Sequence, residues 1–415
     1  YQMNSEWLAI RGIPGAVFVF TLFLYPYVYI ITRAFLESQS TSYIENARLL
    51  GRKPWAVFYK VVLPLSRPAI VGGAVLVIYE VLGDYGVPSY LGIHTISTAI
   101  FQTWFGMYDV NSAMRLAAWL MVIIVGLFFL EKWLRQRRRY TVSNKSRPLV
   151  PVKLKGLAAT CAFLYCGIVF LIGFLIPFVQ LLFWAKMTFE KVWDVSFFTL
   201  LYQTVYVAVI STLIILMLAV IVANISRSHS PFTFFLSKCV TTGYSIPGPI
   251  IAIGVLAMFI TLDQWMAPLY SSLGLGEAPL ILSLSLVMLI VGYFIRFMAT
   301  GFNAVEVGFD KMGVKYAEAS RMLGMGMTKT FFKVDLPLIK GSLISGFILT
   351  FVEICKELPL ALLLRPFNFE TLATKTFQYA NDEQIYEASI SSLLIIFISI
   401  LSVVIFQVVG KKVKQ

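Results

Sequence analysis

The sequence predicts an all-α, polytopic membrane fold built from two tandem copies in parallel orientation, and three observations predict it. The 415 residues are 59% hydrophobic and only 13% charged, with a mean hydropathy of +0.81. A soluble domain lies nearer half apolar and a quarter charged, so lipid is the solvent that this composition fits. Nine apolar runs reach the roughly 20 residues that a helix needs to cross a bilayer. A gapless internal repeat also lays residues 45–84 on 318–357, at an offset of 273.

The runs fall near 12–32, 69–91, 113–133, 157–183, 198–224, 236–261, 279–299, 342–363 and 388–409. Threading nine spans through a membrane tests the linkers against one another. Segments 33–68, 134–155 and 300–341 carry six, eight and six Lys/Arg, and Lys411, Lys412 and Lys414 close the chain. Segments 93–112 and 263–278 carry none, and 186–196 and 365–387 carry two each beside acids. Every cation-rich segment then falls on one face. The positive-inside rule makes that face, and the C-terminus, cytoplasmic.

The net charge of +13 is therefore sorted by the bilayer, and nucleic acid is not an expected partner. The basic stretch 135–148 reads as a cytoplasmic linker that orients the chain and touches anionic head groups. Cys161, Cys166, Cys239 and Cys355 are scattered, so neither a disulfide framework nor a zinc site is expected. His94 and His229 have no metal-binding neighbour at ligand spacing and read as loop residues.

Thirteen of the 40 aligned repeat positions are identical. Leucine matches are cheap in such a chain, but others are not. Glu45 pairs with Glu318, Arg48 with Arg321, Gly51 with Gly324, Phe58 with Phe331 and Lys60 with Lys333. Pro64 then pairs with Pro337, Gly73 with Gly346 and Glu80 with Glu353, while Asp84 meets Glu357. After a three-residue shift, Phe101 and Gln102 match Phe377 and Gln378. The organisation expected is a first copy over 1–133 with three spans, a linker over 134–155, and a second copy over 156–415 with six. About three leading helices of the first copy are expected to lie outside this sequence.

Each copy carries a polar, helix-favouring loop that ends in Leu-Pro and the next span. The first reads ENARLLGRKPWAVFYKVVLPLSRP (45–68), the second EASRMLGMGMTKTFFKVDLPLIKG (318–341). Glycine permits positive φ and so a sharp turn between two helices. Proline suits the start of the following span. The product is an elbow with apolar teeth at Phe58, Val61, Phe331 and Val334, shaped for a groove on another protein.

Gly324 to Lys329 is not a phosphate-binding loop, because Thr328 stands where glycine must precede the lysine. No ATP site is expected on this chain.

These loops resemble the EAA coupling loops of type I ABC importer permeases. The matching positions are Glu45, Ala47, Gly51, Phe58, Leu63 and Pro64, and Glu318, Ala319, Gly324, Phe331, Leu336 and Pro337. Asn46 replaces the first alanine of one loop and Ser320 the second alanine of the other. The resemblance implies the type I importer fold, a cytoplasmic ABC ATPase dimer as partner, and a periplasmic or extracellular substrate-binding protein. It also implies a multi-pass protein of a bacterial inner membrane, with ATP and magnesium held by the ATPase and no cofactor on this chain. Two copies in one chain imply a fused pseudo-dimer and a transport subunit, not an enzyme. The stretches 80–92 and 356–389 resemble the iron(III) permeases in nearly every position, and the resemblance covers essentially the whole chain. Fused thiamine permeases are the nearest competitors, followed by sulfate, polyamine and phosphonate permeases.

The residues carry a separate argument about cargo. Glu80 and Asp84 lie four apart, as do Glu353 and Glu357, which places each pair on one helical face. Charges in spans are costly and usually face a polar path. With Tyr85 and Tyr90 near, these four carboxylates would form an oxygen-rich lining that suits a hard cation and repels sulfate or phosphonate. The structural alternative is that they are paired or hydrated at the membrane edge. The prolines and glycine of SIPGPI (245–250) are expected either to kink a moving helix or to serve packing. A secondary transporter is the rival class, but its repeats are often inverted, whereas these run in one orientation. No His/Asp, Ser/His or metal constellation suggests a membrane-embedded enzyme.

Overall fold

Residues 12–37, 39, 42–136, 153–227, 230–243, 246–274, 280–283 and 285–413 are described by the structure, a computed structural model. Among them every regular element is a helix. His229, residues 137–152 of the basic linker and the first two residues before Ile246 in the SIPGPI region lie outside the described residues.

Two compact units, Tyr1–Val179 and Gln180–Gln415, partition the contacts. In the first, α1 (Ile13–Glu37) is followed by the short helices α2 (Ser42–Leu49) and α3 (Pro54–Val57), then by the span α4 (Leu63–Gly83). The short α5 (Gly86–Tyr90) and α6 (Ile96–Phe101) lead to α7 (Val110–Gln136). Asp109 caps α7, accepting from the Ser112 N–H at 3.0 Å and the Ser112 hydroxyl at 2.6 Å. Those donors hold its carboxyl below the usual range. α1 lies so close along α4 that a Cβ on Gly73 would come 2.8 Å from Val28 Cα. Small residues of this kind let helices approach where no hydrophobic effect drives them together.

α8 (Leu157–Phe170) closes this unit, although the repeat places it in the second copy. The reason is packing: in the π-helical turn Leu171–Leu175, a Cβ on Gly173 would lie 3.8 Å from the Leu22 carbonyl oxygen of α1. The unit division then falls inside α9 (Ile176–Val192) and not at the basic linker.

The second unit is built around α10 (Val195–Ser226), started by Asp194, which accepts from the Phe197 N–H at 3.0 Å and from the Ser196 hydroxyl at 2.7 Å. α11 (Pro231–Thr242) and α12 (Gly248–Ser272) follow, then α13 (Leu286–Met312). The apolar run expected over 236–261 is thus two helices. Pro247, Gly248 and Pro249 open α12 instead of kinking its middle, since proline is tolerated at a helix start.

After α13 come α14 (Lys315–Met322), α15 (Met327–Thr330), α16 (Leu336–Leu338) and α17 (Lys340–Cys355). The unit ends with α18 (Pro359–Leu364), α19 (Leu372–Asn381) and α20 (Ile385–Val413). The core joins α10, α13 and α17: Cβ atoms on Gly301 and Gly346 would meet Ile215 at 2.8 Å and Leu216 at 3.0 Å. Gly73 and Gly346, partners in the repeat, therefore do the same work in each copy.

Among the described residues, eight helices are long and apolar enough to cross a membrane. The ninth expected span is a bent pair, Met327–Leu338 with Lys340–Cys355, turned by 68° at Ile339. The three-residue shift of the repeat is located too. Capping boxes Thr95/Thr98 and Thr371/Thr374 stand at an offset of 276, so the extra residues lie in the loop 365–370.

Candidate functional site

The two elbows repeat helix by helix. α2 and α14, α3 and α15, and the π-helical turns Phe58–Val62 and Phe331–Asp335 all begin and end 273 residues apart. Gly51 and Gly324 end α2 and α14 at φ +72° and +82°. Around each glycine the same two backbone bonds form: Gly51 N–H to Arg48 C=O at 2.9 Å and Arg52 N–H to Ala47 C=O at 3.2 Å, then Gly324 to Arg321 at 2.9 Å and Met325 to Ser320 at 3.2 Å. This is the Schellman closure, which needs a left-handed residue and so favours glycine.

Leu63-Pro64 and Leu336-Pro337 were expected to begin spans, and both follow a π turn. Leu63 opens the span α4, whereas Leu336-Pro337 forms the three-residue α16 before the break at Ile339 and α17. Proline lacks an N–H and crowds the carbonyl four residues before it, here Lys60 and Lys333. Widening by one residue lets the Leu63 N–H reach the Phe58 carbonyl and the Leu336 N–H reach that of Phe331. Helical structure continues from Pro54 to Gly83 in the first copy, so the part of its elbow after the Gly51 turn and its span are one rod.

Glu45 and Glu318 are exposed, while Ala47 and Ser320 are buried against the turn. Asn46 and Ala319 are also exposed, so the Asn46 departure costs no packing and belongs to the outward face. The apolar teeth differ from those expected. Phe58 is exposed, but Val61, Phe331 and Val334 are partly buried. The outermost apolar residues are Leu49 (84%) and Leu50 (81%) in one elbow, and Met322 (89%) and Leu323 (81%) in the other, with Trp55, Tyr59, Met327 and Phe332 beside them. Their signal in the sequence was an apolar pair directly before the turn glycine, where a soluble helix end would be polar.

The four carboxylates do not stand as two pairs on helical faces. α4 stops at Gly83 and α17 at Cys355, so Asp84 and Glu357 lie in the breaks that follow. Asp84 Oδ1 accepts from the Val87 N–H at 3.0 Å, and Glu357 Oε1 from the Leu360 N–H at 3.4 Å. Each acid thus caps the short helix after its span, at equivalent places in the two copies. A free N–H at a helix start that water cannot reach needs such an acceptor.

Glu357 is also ion-paired with Arg296 of α13 at 3.2 Å, both largely buried. A Cβ on Gly248 would fall 2.9 Å from Glu357 Oε1 and 3.1 Å from Arg296 Nη1, so α12, α13 and the break after α17 converge there. Glu353 stays within α17 and pairs with Lys356 at 3.0 Å, while Glu80 is half-buried in α4. Tyr85 stacks on Phe101, with ring centroids 3.8 Å apart. Arg296 was missed in the sequence, though a lone cation inside an apolar run is itself a signal. Among the described residues no three His, Cys, Asp or Glu side chains gather as metal ligands.

Residues 6–140 and 215–415 match the family model described as binding-protein-dependent transport system inner membrane component. A Fe(3+)-transport system permease protein of Haemophilus influenzae is 24% identical over 392 residues, which are 93% of this chain and 74% of that protein. The ferric transport system permease of Actinobacillus pleuropneumoniae is 22% identical over 381 residues, 84% of this chain and 51% of that one. A second, putative-by-name ferric permease of H. influenzae is 23% identical and is spanned over 56% of its length, so this chain covers between half and three quarters of these relatives.

Proposed function

Because the chain belongs to the family of binding-protein-dependent transport system inner membrane components, we propose that it is the permease of an ATP-driven importer whose cargo is ferric iron. One observation carries the reading most directly: two elbows of matching geometry, each presenting apolar residues more than four-fifths exposed beside a glycine turn. Such a surface is expensive to leave in water unless a partner covers it. The partner is an ABC ATPase dimer with one groove for each elbow. ATP and magnesium reside on that partner, and a binding protein delivers cargo from the opposite side of the bacterial inner membrane. The elbows and the C-terminal lysines then lie in the cytoplasm.

Closure of the ATPase dimer moves the elbows. In the first copy the unbroken run Pro54–Gly83 carries that motion directly into the membrane. In the second the 68° bend at Ile339 redirects it into α17. Glu80 and Glu353 line the path and draw a hard cation toward it. Asp84 and Glu357 hold the bends where those spans end. Ferric iron is favoured by the printed functions of the relatives and by this acidic lining, which disfavours anions.

The test is co-purification with an ATPase subunit and ATP-dependent uptake in vesicles, with ferric iron and thiamine offered in parallel. ATP-dependent uptake of iron and not thiamine supports the reading. Thiamine uptake would replace the cargo and keep the class. Uptake that persists without ATP but collapses with the proton gradient would replace the class.

A further inference from the structure

At the root of the second elbow a single arginine ties together three elements. Arg227 caps the end of α10. Its Nη1 lies 3.1 Å from Asp335 Oδ2, in the π-helical turn of the elbow. Its Nη2 donates to the carbonyl of Gly313, just past α13, at 3.1 Å. The guanidinium also stands 4.9 Å from the centre of the Phe309 ring of α13. Arg227 is 17% exposed and Asp335 only 5%.

Asp335 has no reason of its own to be there. The matching position of the first elbow is Val62, an apolar residue in the same π-helical turn. Burying a carboxylate is costly, and only a well-oriented cation offsets it. The planar guanidinium suits the task because its fork reaches a carboxylate and a carbonyl at once. A lysine would supply the charge but not both contacts.

We propose that Arg227 is a positioning residue that makes the second elbow move as one piece with the ends of α10 and α13, a linkage the first elbow's Val62 cannot make. The inference rests on the coupling function proposed above. The two elbows are then mechanically unequal. The first transmits along one rod, whereas the second transmits into two further spans through a side-chain bridge. Buried, hydrogen-bonded charge pairs add little net stability but are costly to break from one side, and in some systems they fix register, which is the property such a bridge needs.

The experiment uses the full chain in nanodiscs with its ATPase partner, in four forms beside wild type: Arg227→Met, Asp335→Asn, Arg227→Lys, and the reciprocal Arg227→Asp with Asp335→Arg. Hydrogen exchange is followed in peptides covering 327–338 and 54–65, and cargo moved per ATP is measured. Arg227→Met and Asp335→Asn should raise exchange over 327–338 by at least about tenfold while 54–65 stays at the wild-type rate. Cargo per ATP should fall several-fold while the ATPase subunit still co-purifies. Arg227→Lys, the mildest change, should fall between, and the reciprocal pair should regain part of both readouts. Wild-type exchange over 327–338 in both single variants overturns the proposal. So does raised exchange with unchanged cargo per ATP. If wild type itself moves no cargo with ATP, the importer reading falls, and the exchange contrast between the two elbows still decides the bridge.

Discussion

Ser320 Oγ and Thr330 Oγ1 share a 2.9 Å hydrogen bond inside the second elbow, at the two positions where the first elbow carries Ala47 and Val57. All four residues are buried. One copy closes its turn with a polar pair and the other with an apolar pair, and the backbone geometry is the same. Removing one hydroxyl leaves its partner buried and unsatisfied, which costs about 1–3 kcal/mol, whereas removing both is nearly neutral. Ser320→Ala should therefore lower the thermal midpoint of the purified protein, and adding Thr330→Val should recover it. A double variant no better than the single would show that the pair is not the coupled unit.

The exposed apolar pairs make the opposite prediction, with function lost and stability kept. Leu49, Leu50, Met322 and Leu323 are each more than 80% exposed, and surface changes of that kind usually stay within about 0.5 kcal/mol. Replacing Leu49 and Leu50 by Asp, or Met322 and Leu323 by Asp, should weaken recovery of the ATPase subunit in pull-down. Both replacements together should abolish it, with unfolding midpoints unchanged. Full recovery of the ATPase with all four Asp in place would remove the docking role from these residues.

What could be read from the sequence, and what could not, follows from the range of each signal. Span number and the elbow outline rest on local features: run length, the Gly51 and Gly324 turns, and the two Leu-Pro steps. These survived nearly intact. The ends of spans did not, because Leu358 to Leu363 is as apolar as the helix before it, and Val87 and Leu91 carry apolar character past Gly83. Beside Gly86, Pro88 and Pro359, the acceptor chemistry of Asp84 and Glu357 marks the break. The partners of the charges were hidden for a different reason. Arg227 and Asp335 stand 108 residues apart, and Arg296 lies on α13 while Glu357 lies in the break after α17, so no periodicity links them. Equally, the repeat says nothing about which neighbour a helix packs on, and α8 packs within the first unit.

The Arg296–Glu357 pair should behave as a unit whose halves cannot be separated. Arg296→Met strands a buried carboxylate, and breaking a buried pair from one side costs about 3–5 kcal/mol. Gly248→Ala should harm the same place by crowding, since its Cβ would meet Glu357 Oε1 at 2.9 Å and the backbone of α12 cannot easily retreat. Both changes should lower the yield of folded protein and its unfolding midpoint. An Arg296→Met variant with a wild-type midpoint would mean that Glu357 finds its charge compensation elsewhere.

The remaining acids separate a path role from a structural one. Glu80 and Glu353 occupy matched positions near the ends of α4 and α17, upstream of the capping acids, and Glu353 pairs with Lys356 at a partly exposed site. An exposed pair of that kind contributes little to stability, a median of about 0–1 kcal/mol. Replacing both acids by Gln keeps their shape and hydrogen-bonding capacity and removes two negative charges. The fold and the ATPase contact should therefore survive, so hydrolysis and co-purification stay at wild-type levels. Uptake of a trivalent cation should fall, because two charges that attract it are gone. The double variant is the informative one, since either acid alone leaves half the field in place. Iron uptake at the wild-type rate in Glu80→Gln with Glu353→Gln would remove both from the path and leave them as part of the span ends.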